Sequence, residues 1–102
     1  MLTRNYMRNL RLKTLSKITM TYGRLTPSCM KCGYHDIRAL QIDHKNGGGT
    51  RVLRKMSTLV YYKNILDLPM EKVHEMYQIL CANCNIVKKE ENRENYIWKN
   101  VP

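Results

Sequence analysis

The chain has 102 residues, and 18 Lys plus Arg against 8 Asp plus Glu give it a formal charge of +10 at pH 7. This length sets one domain, and a composition 43% hydrophobic with no Phe and one Trp sets a thin core that gains from a staple. No run approaches the roughly 18 apolar residues of a membrane span, the start MLTRNYMRNLRLK has no apolar signal segment, and clustered apolar spacing excludes disorder of the whole chain, so the expectation is an intracellular, cytoplasmic protein with no membrane partner.

Residues 4 to 22 carry helical spacing, with Leu15, Ile18 and Tyr22 on one face and Arg4, Arg8 and Arg11 on another. With Lys13 and Lys17 they make a basic amphipathic helix, a first unit over residues 1–28 ahead of a second over 29–102. A basic, acid-free start also resembles a mitochondrial transit peptide, but this one leads straight into a cysteine motif and reads as integral. Gly23 and Pro27 stop the helix, and Cys29-Met30-Lys31-Cys32-Gly33 follows. Residues 39 to 43 predict a short strand with Leu40 and Ile42 on one face, ending at Asp43-His44. Gly47, Gly48 and Gly49 then form a turn with no side chains to obstruct a partner.

Thr50 is placed to cap a helix running to about Leu66, with Val52, Met56, Leu59 and Val60 inward and Arg51, Arg54, Lys55 and Lys63 outward. Pro69 opens a short helical turn, and Tyr77 to Leu80 form a second strand. Cys81-Ala82-Asn83-Cys84 leads into Asn85 and a charged helix ending near Trp98. Tyr61, Tyr62, Tyr77 and Tyr96 are expected in the core, with base stacking as their other use. His35 and His74 are expected to be structural or solvent-facing.

Two C-x2-C pairs, Cys29 with Cys32 and Cys81 with Cys84, can point four sulfurs at one ion, the tetrahedral arrangement of structural zinc. Closing the loop from 33 to 80 costs on the order of 3 kcal/mol, which apparent zinc affinities of about 10 to 16 kcal/mol outweigh. Two disulfides, which suit an oxidising compartment, four free thiols, and iron on the same sulfurs are the alternatives. Four protein ligands leave no open position on such an ion, so any chemistry must lie elsewhere.

Asp43, His44 and Asn85 are the candidates for it. A zinc knuckle holds Asn85 at a helix start, where it can approach Asp43-His44; a carboxylate and an amide carbonyl are hard ligands for Mg²⁺, and an imidazole takes a proton near neutrality. Alone, Asp43 would cap a turn, His44 would be a surface histidine and Asn85 a helix cap.

CMKCG at 29 to 33, LQIDHKNGGG at 40 to 49 and YQILCANCNIVK at 77 to 88 together resemble the HNH endonuclease family, especially its zinc-stapled members in phages and mobile elements. The resemblance implies an α+β domain with the ββα-metal fold, a structural zinc on four cysteines and flanking basic helices. It implies His44 as general base, and Asp43 and Asn85 as catalytic ligands of Mg²⁺ or Mn²⁺. The implied reaction cleaves DNA phosphodiester bonds to 5′-phosphate and 3′-hydroxyl ends. Two departures stand out: the middle Asn of the motif falls near Met76 or Tyr77, leaving the residue that orients His44 unidentified, and the last position is Asn85 where His is common.

The charge suits a nucleic-acid partner. A four-cysteine zinc site contributes a formal −2 and leaves about +8 to draw the chain to phosphates. Arg4, Arg8, Arg11, Lys13, Lys17, Lys45, Arg51, Arg54 and Lys55 are the candidate contacts to DNA, with RNA left open and a larger nucleoprotein or phage assembly a further partner. Lys88, Lys89 and Arg93 have Glu90, Glu91 and Glu94 beside them and read equally as a solvated face. The competing function is a zinc-stapled nucleic-acid-binding adaptor without turnover; an electron carrier with iron on the four cysteines is a third class and predicts colour.

Overall fold

In the computed structural model, which describes residues 4–47 and 56–91, the N-terminal spacing forms α1 (Arg4–Thr21), burying Leu10, Thr14, Leu15, Ile18 and Thr19. The two threonines enter an apolar face because each hydroxyl donates to the carbonyl four residues back, Thr14 to Leu10 at 2.8 Å and Thr19 to Leu15 at 2.7 Å. Neither donor is orphaned by burial. The helix ends at Gly23, whose N–H reaches Met20 O at 3.0 Å and whose φ of +71° is the left-handed conformation that favours glycine at a helix end.

A turn of 3-10 helix at Ile37–Ala39 leads into β1 (Leu40–His44); α2 (Thr58–Asp67), α3 (Met70–Met76), β2 (Tyr77–Cys81) and α4 (Ala82–Glu91) follow. β1 and β2 pair antiparallel in a two-stranded sheet, in register from Leu40↔Cys81 to His44↔Tyr77. This is the expected small α+β architecture. With α4 leaving directly from β2, it is compatible with a ββα unit.

The strands fall within a residue of the expected spans, but α2 starts at Thr58, not at Thr50. Ser57 is extended, with φ −70° and ψ 157°, and its Oγ accepts from Val60 N at 3.2 Å. A hydroxyl that satisfies an orphan N–H there ends any continuous run from residue 50. The inward face also differs from the expected one: Tyr61 and Ile65, one turn apart, are buried, whereas Val60, expected inward, is 43% exposed. Thr50, Val52, Arg51, Arg54 and Lys55 lie outside the described residues, as do Arg93, Tyr96 and Trp98.

Leu15 and Ile18 of α1, Tyr61 and Ile65 of α2, Val73 of α3, and Leu40, Tyr77 and Ile79 of the sheet form one apolar cluster that extends to Cys29, Cys81 and Cys84. α1 packs on α2, α3 and β2. Tyr22 pins its end, donating to Tyr77 O at 2.7 Å and packing its ring 4.3 Å from that of His74.

Lys17 adds a polar clamp. Its Nζ donates to Ile65 O at 2.9 Å, to Leu66 O at 2.6 Å and to Leu68 O. Carbonyls at a helix end lack the full set of intrahelical donors; Ile65 O also takes the Leu68 N–H at 3.2 Å, and a cation suits the negative end of the helix dipole. Lys17→Met is expected to cost about 1.5 to 3 kcal/mol and to lower the thermal midpoint by several degrees, with the exposed Lys13→Met as an unaffected control.

Candidate metal centre and active site

The first knuckle is shaped by backbone bonds from Cys29 N to Tyr34 O at 2.8 Å and from Gly33 N to Cys29 O at 3.0 Å. Gly33 has φ of +82°, where a side chain would be strained. Met30 N donates to Ile79 O at 2.8 Å and docks the knuckle on β2. Cys81 ends that strand, and Cys84 sits in the first turn of α4 with its N–H donating to Cys81 Sγ at 3.4 Å. Sheet and knuckle thus bring the distant cysteine pairs together.

The four Sγ atoms lie within 4.8 Å of one another. Those of Cys32 and Cys81 are 3.7 Å apart, against about 3.8 Å between sulfurs of a tetrahedral site with zinc–sulfur bonds of about 2.3 Å. A disulfide needs about 2.05 Å, and all four thiols are free. Burial pushes the Cys29 thiol up, but N–H donors of Cys32, Cys81 and Lys31 outweigh it and bring it down to about 6. The Cys81 side chain and burial push Cys84 up to about 12. Four sulfurs so close cannot all ionise without a cation, and the cluster can hold one structural zinc.

Strand alternation separates Asp43 from His44. Asp43 shares a sheet face with Gln41 and with its cross-strand partner Gln78. Its Oδ2 accepts from Gln78 Nε2 at 2.9 Å and from Lys88 Nζ at 2.7 Å. Lys88 Nζ also donates to the His44 carbonyl at 2.7 Å. The Lys88 and Asp43 side chains are only 17% and 9% exposed. Asn85, one turn before Lys88, donates from Nδ2 to Gln41 Oε1 at 2.6 Å, and its Oδ1 is buried without a partner among the described residues.

The His44 ring lies on the other face. It meets its cross-strand partner Tyr77 edge-on at 5.0 Å between centroids and stacks on Tyr61 at 5.7 Å. Its Nε2 is buried and unpartnered among the described residues. Burial lowers its pKa below 6.5; Asp43 opposes that and Lys88 reinforces it. The imidazole is therefore neutral at neutral pH.

The Asp43 carboxylate, the His44 carbonyl and, on the same face as Asp43, the Asn85 amide oxygen are hard donors of the kind that Mg²⁺ or Mn²⁺ takes. An ammonium already bonds the first two, and the third lacks a donor. The residues present fit a hard divalent ion. Gln41 and Gln78 were not singled out from sequence, and Lys88, read there equally as part of a solvated face, is instead turned inward onto Asp43; a signal existed, since Lys88 follows Asn85 by three positions on a helix and Gln41 precedes Asp43 by two on a strand.

The basic residues divide. Arg4, Arg8 and Lys13 are exposed along α1. Arg11 Nη2 donates to Ile37 O at 2.8 Å and to Leu40 O at 2.7 Å, tying α1 to the start of β1. Lys17 holds α2, and Lys45 lies 4.9 Å over the Tyr22 ring. No helix among the described residues is long and apolar enough to cross a membrane. No protein-family profile, curated protein or solved structure matches the chain.

Proposed function

We propose that the chain is a metal-dependent endonuclease of the HNH, ββα-metal kind, hydrolysing DNA phosphodiester bonds. Zinc on Cys29, Cys32, Cys81 and Cys84 staples the fold, and Asp43 and Asn85 hold the catalytic Mg²⁺ or Mn²⁺. One observation carries this reading. Asn85 Oδ1, a hard donor beside Gln41 on the Asp43 side of the sheet, is buried without a partner among the described residues. Native proteins rarely leave such atoms unpaired without a use for them.

His44 serves as the base. Its Nε2 faces inward, so Nδ1 is the nitrogen left to take a proton from water, with the neutral ring's own hydrogen on Nε2. Tyr77 and Tyr61 hold the ring by packing, in place of the absent middle Asn. The ion, when bound, stabilises charge gathering on the phosphate and the departing oxygen. The cleavage test is a labelled duplex or branched DNA with Mg²⁺ or Mn²⁺, where end-labelled fragments support the nuclease.

The Lys88–Asp43 ion pair favours a second reading, the zinc-stapled adaptor that binds nucleic acid without turnover. Both readings place phosphates along the exposed face of α1. Replacing Arg4, Arg8 and Lys13 together by Gln is expected to weaken DNA binding similarly across sequences and to flatten its salt dependence by up to about three charges. Titrations at several salt concentrations measure this, and an unchanged slope would make that face merely solvated.

A further inference from the structure

We propose that Lys88 is a tethered competitor of the catalytic divalent ion and sets the affinity with which that ion loads; this rests on the nuclease reading. The ammonium already makes two short charged hydrogen bonds, to Asp43 Oδ2 and to His44 O, both at 2.7 Å. An ion bonded to Asp43 Oδ2 would sit within a few ångströms of Nζ, where two cations repel strongly. The two occupants therefore exclude each other.

The surroundings provide for both states. Without the ion, Lys88 neutralises a carboxylate that would be costly to leave buried and unpaired. With the ion, Lys88 has somewhere to go. It lines an open groove of about 330 Å³ with Met30, Lys31, Gln78 and Leu80, and a long aliphatic stem lets a lysine withdraw into such a groove while its charge stays in water. Gln78 lines the groove and also donates to Asp43. It keeps one hydrogen bond on the carboxylate while the cations exchange.

The test is a Mn²⁺ titration of the zinc-loaded full chain, reading free Mn²⁺ by electron paramagnetic resonance, for wild type, Lys88→Met and Asp43→Asn. Lys88→Met is expected to bind Mn²⁺ at least about tenfold more tightly, because two charge-assisted bonds no longer have to break. Asp43→Asn is expected to lose the site. Equal or weaker binding by Lys88→Met overturns the competition; if wild type still binds Mn²⁺ and cuts DNA, the nuclease reading survives it. Absence of binding in every variant overturns both. Should Lys88→Met not fold, wild type decides: the Lys88 Nζ and Cε resonances are expected to move on Mg²⁺ titration with the ion's own midpoint, and unmoved resonances on a loaded site overturn the proposal.

Discussion

Cys81→Ser is expected to unfold the domain and release its zinc. Cys81 is the last residue of β2, pairs in register with Leu40, lies in the apolar cluster, and its Sγ accepts the Cys84 N–H. One change therefore removes a thiolate and disturbs the packing. The larger loss is the metal: apparent zinc affinities of about 10 to 16 kcal/mol match or exceed the roughly 5 to 15 kcal/mol that holds a whole domain folded. Cys32→Ser separates the two effects, because Cys32 is exposed and gives up little packing. It is expected to lose zinc and to unfold as completely as Cys81→Ser. Circular dichroism with elemental analysis measures both, at one zinc per wild-type chain. Iron in the site, or a fully folded zinc-free chain, would overturn the staple.

His44→Asn is expected to reduce cleavage by about 10² to 10⁴-fold, the usual worth of a general base, while zinc content and DNA binding stay near wild type. Asparagine retains much of the contact with Tyr61 and Tyr77 that alanine would forfeit. Asp43→Asn is also expected to stop cleavage, through the ion, so partial recovery at high Mn²⁺ is expected there and not for His44→Asn. Asn85→His is expected to keep measurable activity and Asn85→Ala to lose most of it. The pH profile follows from burial of His44, which lowers its pKa. Since the protonated ring cannot accept a proton, the rate is expected to hold near neutrality and to fall only below about pH 6.5. Stability moves in the same direction. The unfolded ring takes a proton near pH 6.5 and the folded ring resists it, so folding weakens as pH falls below that value.

Much of the scaffold is legible because it is written locally. Leu15, Ile18 and Tyr22 mark the face of α1 that packs, and the C-x2-C pairs mark the sulfur cluster. The start of α2 is not, since Thr50 and Ser57 are both good caps and only the bond from Val60 N to Ser57 Oγ distinguishes them. Cations are harder still. Arg11 and Lys17 have the same helical spacing as residues facing solvent, but carbonyls of distant segments take their donors.

The same holds at the site. Asp43 and His44 read as a pair because they are neighbours, whereas the period of a strand sends them to opposite faces. Lys88 has Glu90 and Glu91 beside it in sequence, yet its ammonium bonds Asp43, a sheet away. Local charge patterning reports surface helices well and misses a lysine that the fold has turned inward.

The central claim assigns two metals to separate tasks, and cleavage of supercoiled plasmid by the zinc-loaded chain, with Mg²⁺ and then with excess chelator in a brief incubation, tests it most directly. Relaxed or linear product is expected with Mg²⁺ alone, with 5′-phosphate and 3′-hydroxyl ends. Chelator is expected to stop cutting while zinc stays at one per chain, and added Mg²⁺ to restore it. Cutting that persists in chelator, or a zinc-loaded protein that binds DNA yet cuts no duplex, branched or single-stranded substrate with any divalent ion, would contradict it.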